Sequence, residues 1–75
     1  MDLRALMSFV TVCRLGNITR AAEALYISQP ALTRQIQELE QELGCQLLVR
    51  STRSLSLTEN GYLFMLRGQE ILDLA

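Results

Sequence analysis

Between Ala21 and Leu43 the chain carries two helical patterns with almost nothing between them. Ala21, Ala22 and Ala24 are strong helix formers, and they predict a short helix from Arg20 to Leu25 or Tyr26 with Thr19 opening it. Ser28 follows as the next N-cap candidate, with Gln29-Pro30 in a first turn where proline's missing N–H costs little. From there Leu32, Ile36, Leu39 and Leu43 recur at spacings of 4, 3 and 4. On a helix those four fall within about 60° of one another, while Pro30, Arg34, Gln37 and Gln41 point the opposite way. Gly44 suits the residue that ends such a helix. Two helices joined by so short a link form a helix-turn-helix, with the second helix buried on one side and polar on the other.

The remaining chain supplies a frame for that pair. Leu3, Leu6, Met7, Val10 and Cys13 follow helical spacing, Phe9 and Val12 widen the stripe, and Gly16-Asn17 stops it, which predicts a helix over residues 3–15. Cys13 on that stripe reads as a core residue. Two short strands are predicted over Gln46–Arg50 and Ser54–Thr58, with Leu47 and Val49 alternating in the first and Leu55 and Leu57 in the second. Ser51-Thr52-Arg53 is the polar tip between them. Thr58 with Glu59 opens a last helix that runs to Ala75 without a C-terminal cap, so the chain is expected to continue in the native protein. The fold class is therefore mainly α: a three-helix core, a small β-hairpin wing and a long C-terminal helix. Residues 1–58 form the winged helix-turn-helix, with the helix-turn-helix at about 18–37 and the wing at about 46–58; residues 59–75 form a linker helix.

Several function classes lose their chemistry at once. The 75 residues make one small domain, and they include no His and no Lys. No histidine base stands ready for a nucleophile, no Schiff base can form, and two distant cysteines offer neither a zinc ligand set nor a disulfide framework. An enzyme is not expected, and no metal or cofactor is expected in this domain. The longest apolar run, Tyr62 to Leu66, is far too short to span a membrane, and Asp2 and Arg4 interrupt any signal peptide, so cytoplasmic residence is expected. Glu38, Glu40 and Glu42 read as a solvated helix face.

Net charge is only −1, yet the charges are segregated. Residues 3–37 hold Arg4, Arg14, Arg20 and Arg34 against Glu23, and residues 46–58 hold Arg50 and Arg53 with no acid; the acids gather at 38–42 and beyond 58. Every cation is Arg, the side chain suited to bidentate phosphate and guanine contacts. A helix-turn-helix enters the major groove with the N-terminus of its second helix. There Gln29, Thr33 and Arg34 can reach base edges, and Ser28 can both cap the helix and face a phosphate. Leu25, Ile27, Leu32 and Ile36 can pin the two helices together, and Arg50 and Arg53 flank a hairpin that can lie on backbone or minor groove. Each cation also has an internal alternative: Arg34 can pair with Glu38, Arg20 with Glu23, and Arg50 can brace the wing from within. RNA is disfavoured because exposed aromatic stacking platforms are not expected among Phe9, Tyr26, Tyr62 and Phe64.

From Leu3 to Gly61 the wording is more particular than the pattern. Ala21-Ala22 with Leu25, Ser28-Gln29-Pro30-Ala31-Leu32 through Gln35-Ile36, Leu39-Glu40, Leu43-Gly44, the pair Arg50 and Arg53, and Leu57-Thr58 stand in order. Together they resemble the N-terminal domain of LysR-type transcriptional regulators. Asn17, Leu48 and Asn60 depart from that pattern, and none lies on the expected DNA face. The resemblance implies a winged helix-turn-helix that binds double-stranded DNA at an interrupted inverted repeat. It implies that Gln29, Pro30, Ala31, Thr33 and Arg34 face bases and nearby backbone, that Thr19, Arg20 and Ser28 meet phosphate, and that Arg50 and Arg53 supply the wing. It further implies a homodimer pairing into tetramers, a small-molecule inducer bound by an effector domain absent from this chain, and RNA polymerase as a further partner.

The last helix suggests how copies pair. Phe64, Gly68, Ile71 and Ala75 recur at spacings of 4, 3 and 4, with Met65 and Leu72 beside them, all within about 120°. Read this way, the stripe is a dimer seam between antiparallel helices, Gly68 permits close approach, and Leu63 and Leu66 anchor the helix to its own domain. A downstream domain covering the stripe is the alternative. From a different class comes a helical protein-interaction module docking through Glu38, Glu40 and Glu42, which rising salt in a gel shift distinguishes from a DNA binder.

Overall fold

A computed structural model describes residues 1–50 and 54–75. Helices α1 (Leu3–Leu15), α2 (Ile18–Leu25) and α3 (Gln29–Leu43) are followed by strands β1 (Leu48–Arg50) and β2 (Leu55–Leu57) and by α4 (Glu59–Leu74). Every α-helix N-terminus is capped by a side chain: Asp2 accepts from Ala5 N, Asn17 from Arg20 N, Ser28 from Ala31 N and Thr58 from Gly61 N. Gly16 and Gly44 end α1 and α3 in the left-handed region, at φ 66° and 71°, where a Cβ would be strained. Tyr26 ends α2 in the same region at φ 59°. It is the one non-glycine residue with positive φ among those described, and it stands 94% exposed in the turn before α3.

The core forms where α1, α2 and α3 converge on Phe9, Val12, Ala21, Ala22, Leu32, Ile36 and Leu39, with Leu47 and Leu48 closing it from the wing side. Ala21 and Ala22 of α2 are almost fully buried, so a small side chain is what lets that helix approach the others. One polar contact crosses this interior. Ser8, 2% exposed, donates to Gln35 Oε1 at 2.7 Å and ties α1 to α3.

The wing is a two-stranded antiparallel hairpin in which Leu48 pairs with Leu57, Val49 with Ser56 and Arg50 with Leu55. Both strands are shorter than predicted, and the expected alternation of Leu47 and Val49 fails. Leu47 lies before the strand and is buried beside Leu48, while Val49 is 45% exposed. The reason is that Leu47 precedes the strand, and its amide and that of Leu48 both bond Glu40 on α3, which turns two successive residues inward. The tip Ser51-Thr52-Arg53, with the predicted wing contact Arg53, lies outside the described residues.

Three further expectations shift. The start of α2 falls at Ile18, because Asn17 is itself a good cap and Thr19 sits inside the first turn. On α1 the buried stripe runs through Leu6, Phe9, Val10 and Val12, leaving Leu3 and Met7 about half exposed. On α4 the predicted seam divides: Ile71 and Ala75 stay exposed, while Phe64, Met65 and Gly68 turn inward. Gly68 is buried against Leu6 and Val10, Phe64 packs on Phe9 with ring centroids 5.5 Å apart, and Met65 packs on the core. Leu63 and Leu66, predicted as anchors, are exposed instead, beside Tyr62. Both arcs of α4 are apolar, and the glycines decide between them. At Gly61 a Cβ would lie 2.0 Å from the Leu47 carbonyl oxygen, so only the glycine face can approach the wing root this closely.

Candidate nucleic-acid interface

On α3 the buried residues Leu32, Ile36 and Leu39 set the inward direction, and everything else follows from the helical turn. Pro30, Arg34, Gln37 and Gln41 lie opposite and are exposed. Ala31, Gln35 and Glu42 occupy the flank that meets α1, where Gln35 takes the Ser8 hydroxyl and the N-terminal ammonium of Met1 pairs with Glu42. Gln29, Thr33 and Glu40 form a row on the other flank, and the wing lies along that row. Glu40 Oε2 accepts from Leu47 N at 2.7 Å and Leu48 N at 3.2 Å. Arg50 Nη2 donates to Thr33 Oγ1 at 3.2 Å. Between these two attachments a groove of about 190 Å³ is lined by Ile36, Gln37, Glu40, Gln46, Leu48 and Arg50.

The polar face thus has a defined layout. Ser28 caps α3, as predicted, and leaves the N-terminal turn of that helix exposed with Gln29 and Pro30 at its tip. Thr19 and Arg20 are exposed in the first turn of α2. Among the described residues neither Arg20 nor Arg34 is paired with an acid, so the alternatives Arg20–Glu23 and Arg34–Glu38 do not form. Arg50 does use its internal alternative, but its partner is the predicted base reader Thr33. Ala31 and Thr33 are half-buried, the rest of the set open.

Two sequence readings fail here for a physical reason. The sequence places Glu40 on a solvated acidic face, yet it is half-buried and serves as the acceptor for two backbone amides at the wing root. Its position in the row of Gln29 and Thr33, away from Glu38, was the available signal. With Glu40 and Glu42 both engaged, the acidic docking face is dismantled. Exposed aromatics were also not expected, but Tyr26 and Tyr62 are both outward, at 94% and 55% exposure. Thr58 has a second task beyond capping: its hydroxyl donates to the Gln46 carbonyl at 2.6 Å while accepting from Gly61 N, which fastens α4 to the wing.

The rest of the molecule offers little competing chemistry. Cys13 is half-buried against the core, and burial pushes its thiol up from 9.0 to about 11, which makes it a poor nucleophile near neutrality. No group of three metal-ligating side chains occurs among the described residues, and no helix there is long and apolar enough to cross a membrane.

The family model described as "Bacterial regulatory helix-turn-helix protein, lysR family" matches residues 3–62. The chain belongs to the LysR family. Over 72 residues, 96% of this chain and 24% of the relative, it is 50% identical to the SDS degradation transcriptional activation protein of Pseudomonas sp.. It is 51% identical over 75 residues to the HTH-type transcriptional regulator BudR of Raoultella terrigena, covering all of this chain and 26% of BudR. The chain spans about a quarter of the length of these curated relatives. Among solved structures, the BenM DNA-binding domain in complex with catB site 1 DNA is similar with a TM-score of 0.94 and 45% identity, over 97% of this chain and 81% of that one. The CbnR DNA-binding domain in its DNA complex gives 0.94 and 44%, over 99% and 85%. This LysR-family domain is thus a winged helix-turn-helix with a long final helix, as predicted.

Proposed function

We propose that this LysR-family domain binds double-stranded DNA by sequence and is the DNA-reading part of a transcriptional regulator. The observation that carries the reading is the outer face of α3. Gln29, Pro30 and Arg34 stand exposed there, without internal partners among the described residues; Arg50 reaches the flank of that helix at Thr33, and Arg20 is exposed in the first turn of α2. Two relatives of the same backbone were solved in DNA complexes. Gln29, Thr33 and Arg34 read base edges in the major groove, since Gln suits adenine and Arg suits guanine. Pro30 and Ala31 pass close to the bases and backbone. Thr19, Arg20 and Ser28 hold phosphates near two helix N-termini, where the peptide dipoles favour an anion. The wing contributes Arg50, and by the resemblance Arg53.

The whole protein works as a homodimer, pairing into tetramers, on an interrupted inverted repeat, with a small-molecule inducer bound outside this chain and RNA polymerase as a downstream partner. Two-fold pairing through α4 sets two recognition helices against two half-sites. Of the predicted seam Ile71 and Ala75 remain outward, and Leu63 and Leu66 add apolar surface that α4 also leaves exposed.

A gel shift on the promoter region adjoining its own gene, repeated at rising salt, tests the reading: affinity falls steeply as phosphate-bound counterions are released. Arg34→Ala costs about 1–3 kcal/mol on that DNA and relaxes preference at one base position. A variant that discriminates among site variants as well as the native protein does would remove Arg34 from the base readers.

A further inference from the structure

Arg50 carries a consequence for specificity that a wing cation alone would not. Its place in the hairpin register puts it on the same side as Leu48, which is buried toward α3, and opposite Leu55. The side chain accordingly runs back to α3 and donates to Thr33 Oγ1 at 3.2 Å. Seven residues along the same row of α3, Glu40 holds the root of that strand through two backbone amides, so the distance between Arg50 and Thr33 is set by a clamp at the other end.

A threonine hydroxyl has one proton and two lone pairs. A guanidinium is always charged and only donates, so its approach occupies a lone pair and turns the hydroxyl proton away from it. In the major groove cytosine presents only the N4 amino donor, whereas guanine, adenine and thymine each offer an acceptor. We propose that Arg50 is a positioning residue for base readout: by donating to Thr33 Oγ1 it holds the Thr33 hydroxyl as a donor toward the groove, and α3 selects an acceptor-bearing base there against cytosine. This rests on the reading of α3 as the groove-facing helix. Among the described residues Thr33 is the one side-chain partner of Arg50, and its other N–H groups are available to meet phosphate, an effect that does not depend on sequence.

The test starts from binding sites selected by the intact native protein from random duplexes. Dissociation constants are then measured on the preferred duplex and on copies with cytosine placed at each position in turn. The position whose preference disappears in Thr33→Val is the one Thr33 reads, and native discrimination against cytosine there is about fivefold to tenfold. Arg50→Met, similar in length but without a donor, reduces that discrimination to below about twofold, leaves the position read by Arg34 unchanged, and adds nothing when combined with Thr33→Val. Arg50→Lys restores a donor and with it the discrimination. Thermal unfolding of each variant checks that this exposed residue has not altered the fold. If Arg50→Met weakens all duplexes alike and keeps the preference, or if Thr33→Val moves no position, the proposal is overturned while the DNA-binding reading survives. If the native protein selects no sequence at all, the DNA-binding reading itself has failed.

Discussion

Replacing Glu40 by Ala removes the acceptor that fastens the wing root to α3. In the native domain its Oε2 accepts from Leu47 N at 2.7 Å and Leu48 N at 3.2 Å, and both leucines are almost fully buried. Truncation leaves two backbone donors without this partner, and each buried donor left unpaired costs about 1–3 kcal/mol. Two effects then compete. Glu40 is only half-buried, so water can enter the vacated space and satisfy the nearer-surface amide. Against that, a charged acceptor makes the stronger kind of hydrogen bond, so more is lost than for a neutral one. The balance is a loss of about 2–3 kcal/mol, dominated by the Leu47 amide, whose bond is the shorter. For a chain of this size each kcal/mol moves the melting temperature by about 4–8 °C, so Glu40→Ala melts about 10–20 °C lower. Glu40→Gln keeps one neutral acceptor and falls between the two. Urea unfolding followed by circular dichroism measures all three proteins, and an unchanged m-value places the loss in the folded state. Should Glu40→Ala unfold within about 0.5 kcal/mol of the native protein, leucine burial alone holds the wing and the clamp has no net effect.

Three more outcomes follow from the same contacts. Gly61→Ala puts a Cβ 2.0 Å from a backbone oxygen and is expected to cost more than about 3 kcal/mol, whereas Gly68→Ala meets only side chains, those of Leu6 and Val10, and costs about 1–3 kcal/mol; denaturant midpoints rank the two. The Cys13 thiol is held at about 11 in the folded state against 9.0 when unfolded, so its contribution to stability is complete below pH 9 and is lost as pH rises toward 11. The native protein therefore loses stability more steeply than Cys13→Ala between pH 8 and 10.5, and parallel profiles would contradict this. Ile71→Glu places a charge on the outward side of α4 and dissociates the dimer at micromolar concentration in a sedimentation experiment on the full-length protein, while an unchanged oligomer would move the seam elsewhere.

The helices were legible because their signals are local. Apolar spacing, the caps Ser28 and Thr58, and the stops Gly16 and Gly44 act within one turn: α1 ends at Gly16, α3 runs between Ser28 and Gly44, and α4 begins at Thr58. The layout of the polar face on α3 follows from the same periodicity. What escaped is decided by contacts between distant segments. Periodicity shows that α4 has two apolar arcs but not which of them meets α1, and the answer lies in how closely Gly61 and Gly68 are approached. Likewise Glu40 has the composition of a surface residue, and only the return of the chain at Leu47 makes it an internal acceptor. Tyr26 was placed at a helix end without its left-handed backbone, since an aromatic side chain gives no signal for that conformation.

The Ser8–Gln35 contact bears on how the recognition helix is aimed. Apolar burial in this core, Phe9, Val12, Leu32, Ile36 and Leu39 among it, is non-directional and so constrains the alignment of two helices less sharply than a hydrogen bond does. A hydroxyl and an amide oxygen 2.7 Å apart do not tolerate sliding. Sliding α1 along α3 by a turn would strand a hydroxyl that is 2% exposed, at about 1–3 kcal/mol, with no compensating apolar gain. One polar pair on the inner side therefore indexes α3 like a dowel in a joint, and the pitch at which its opposite side is offered outward inherits that alignment.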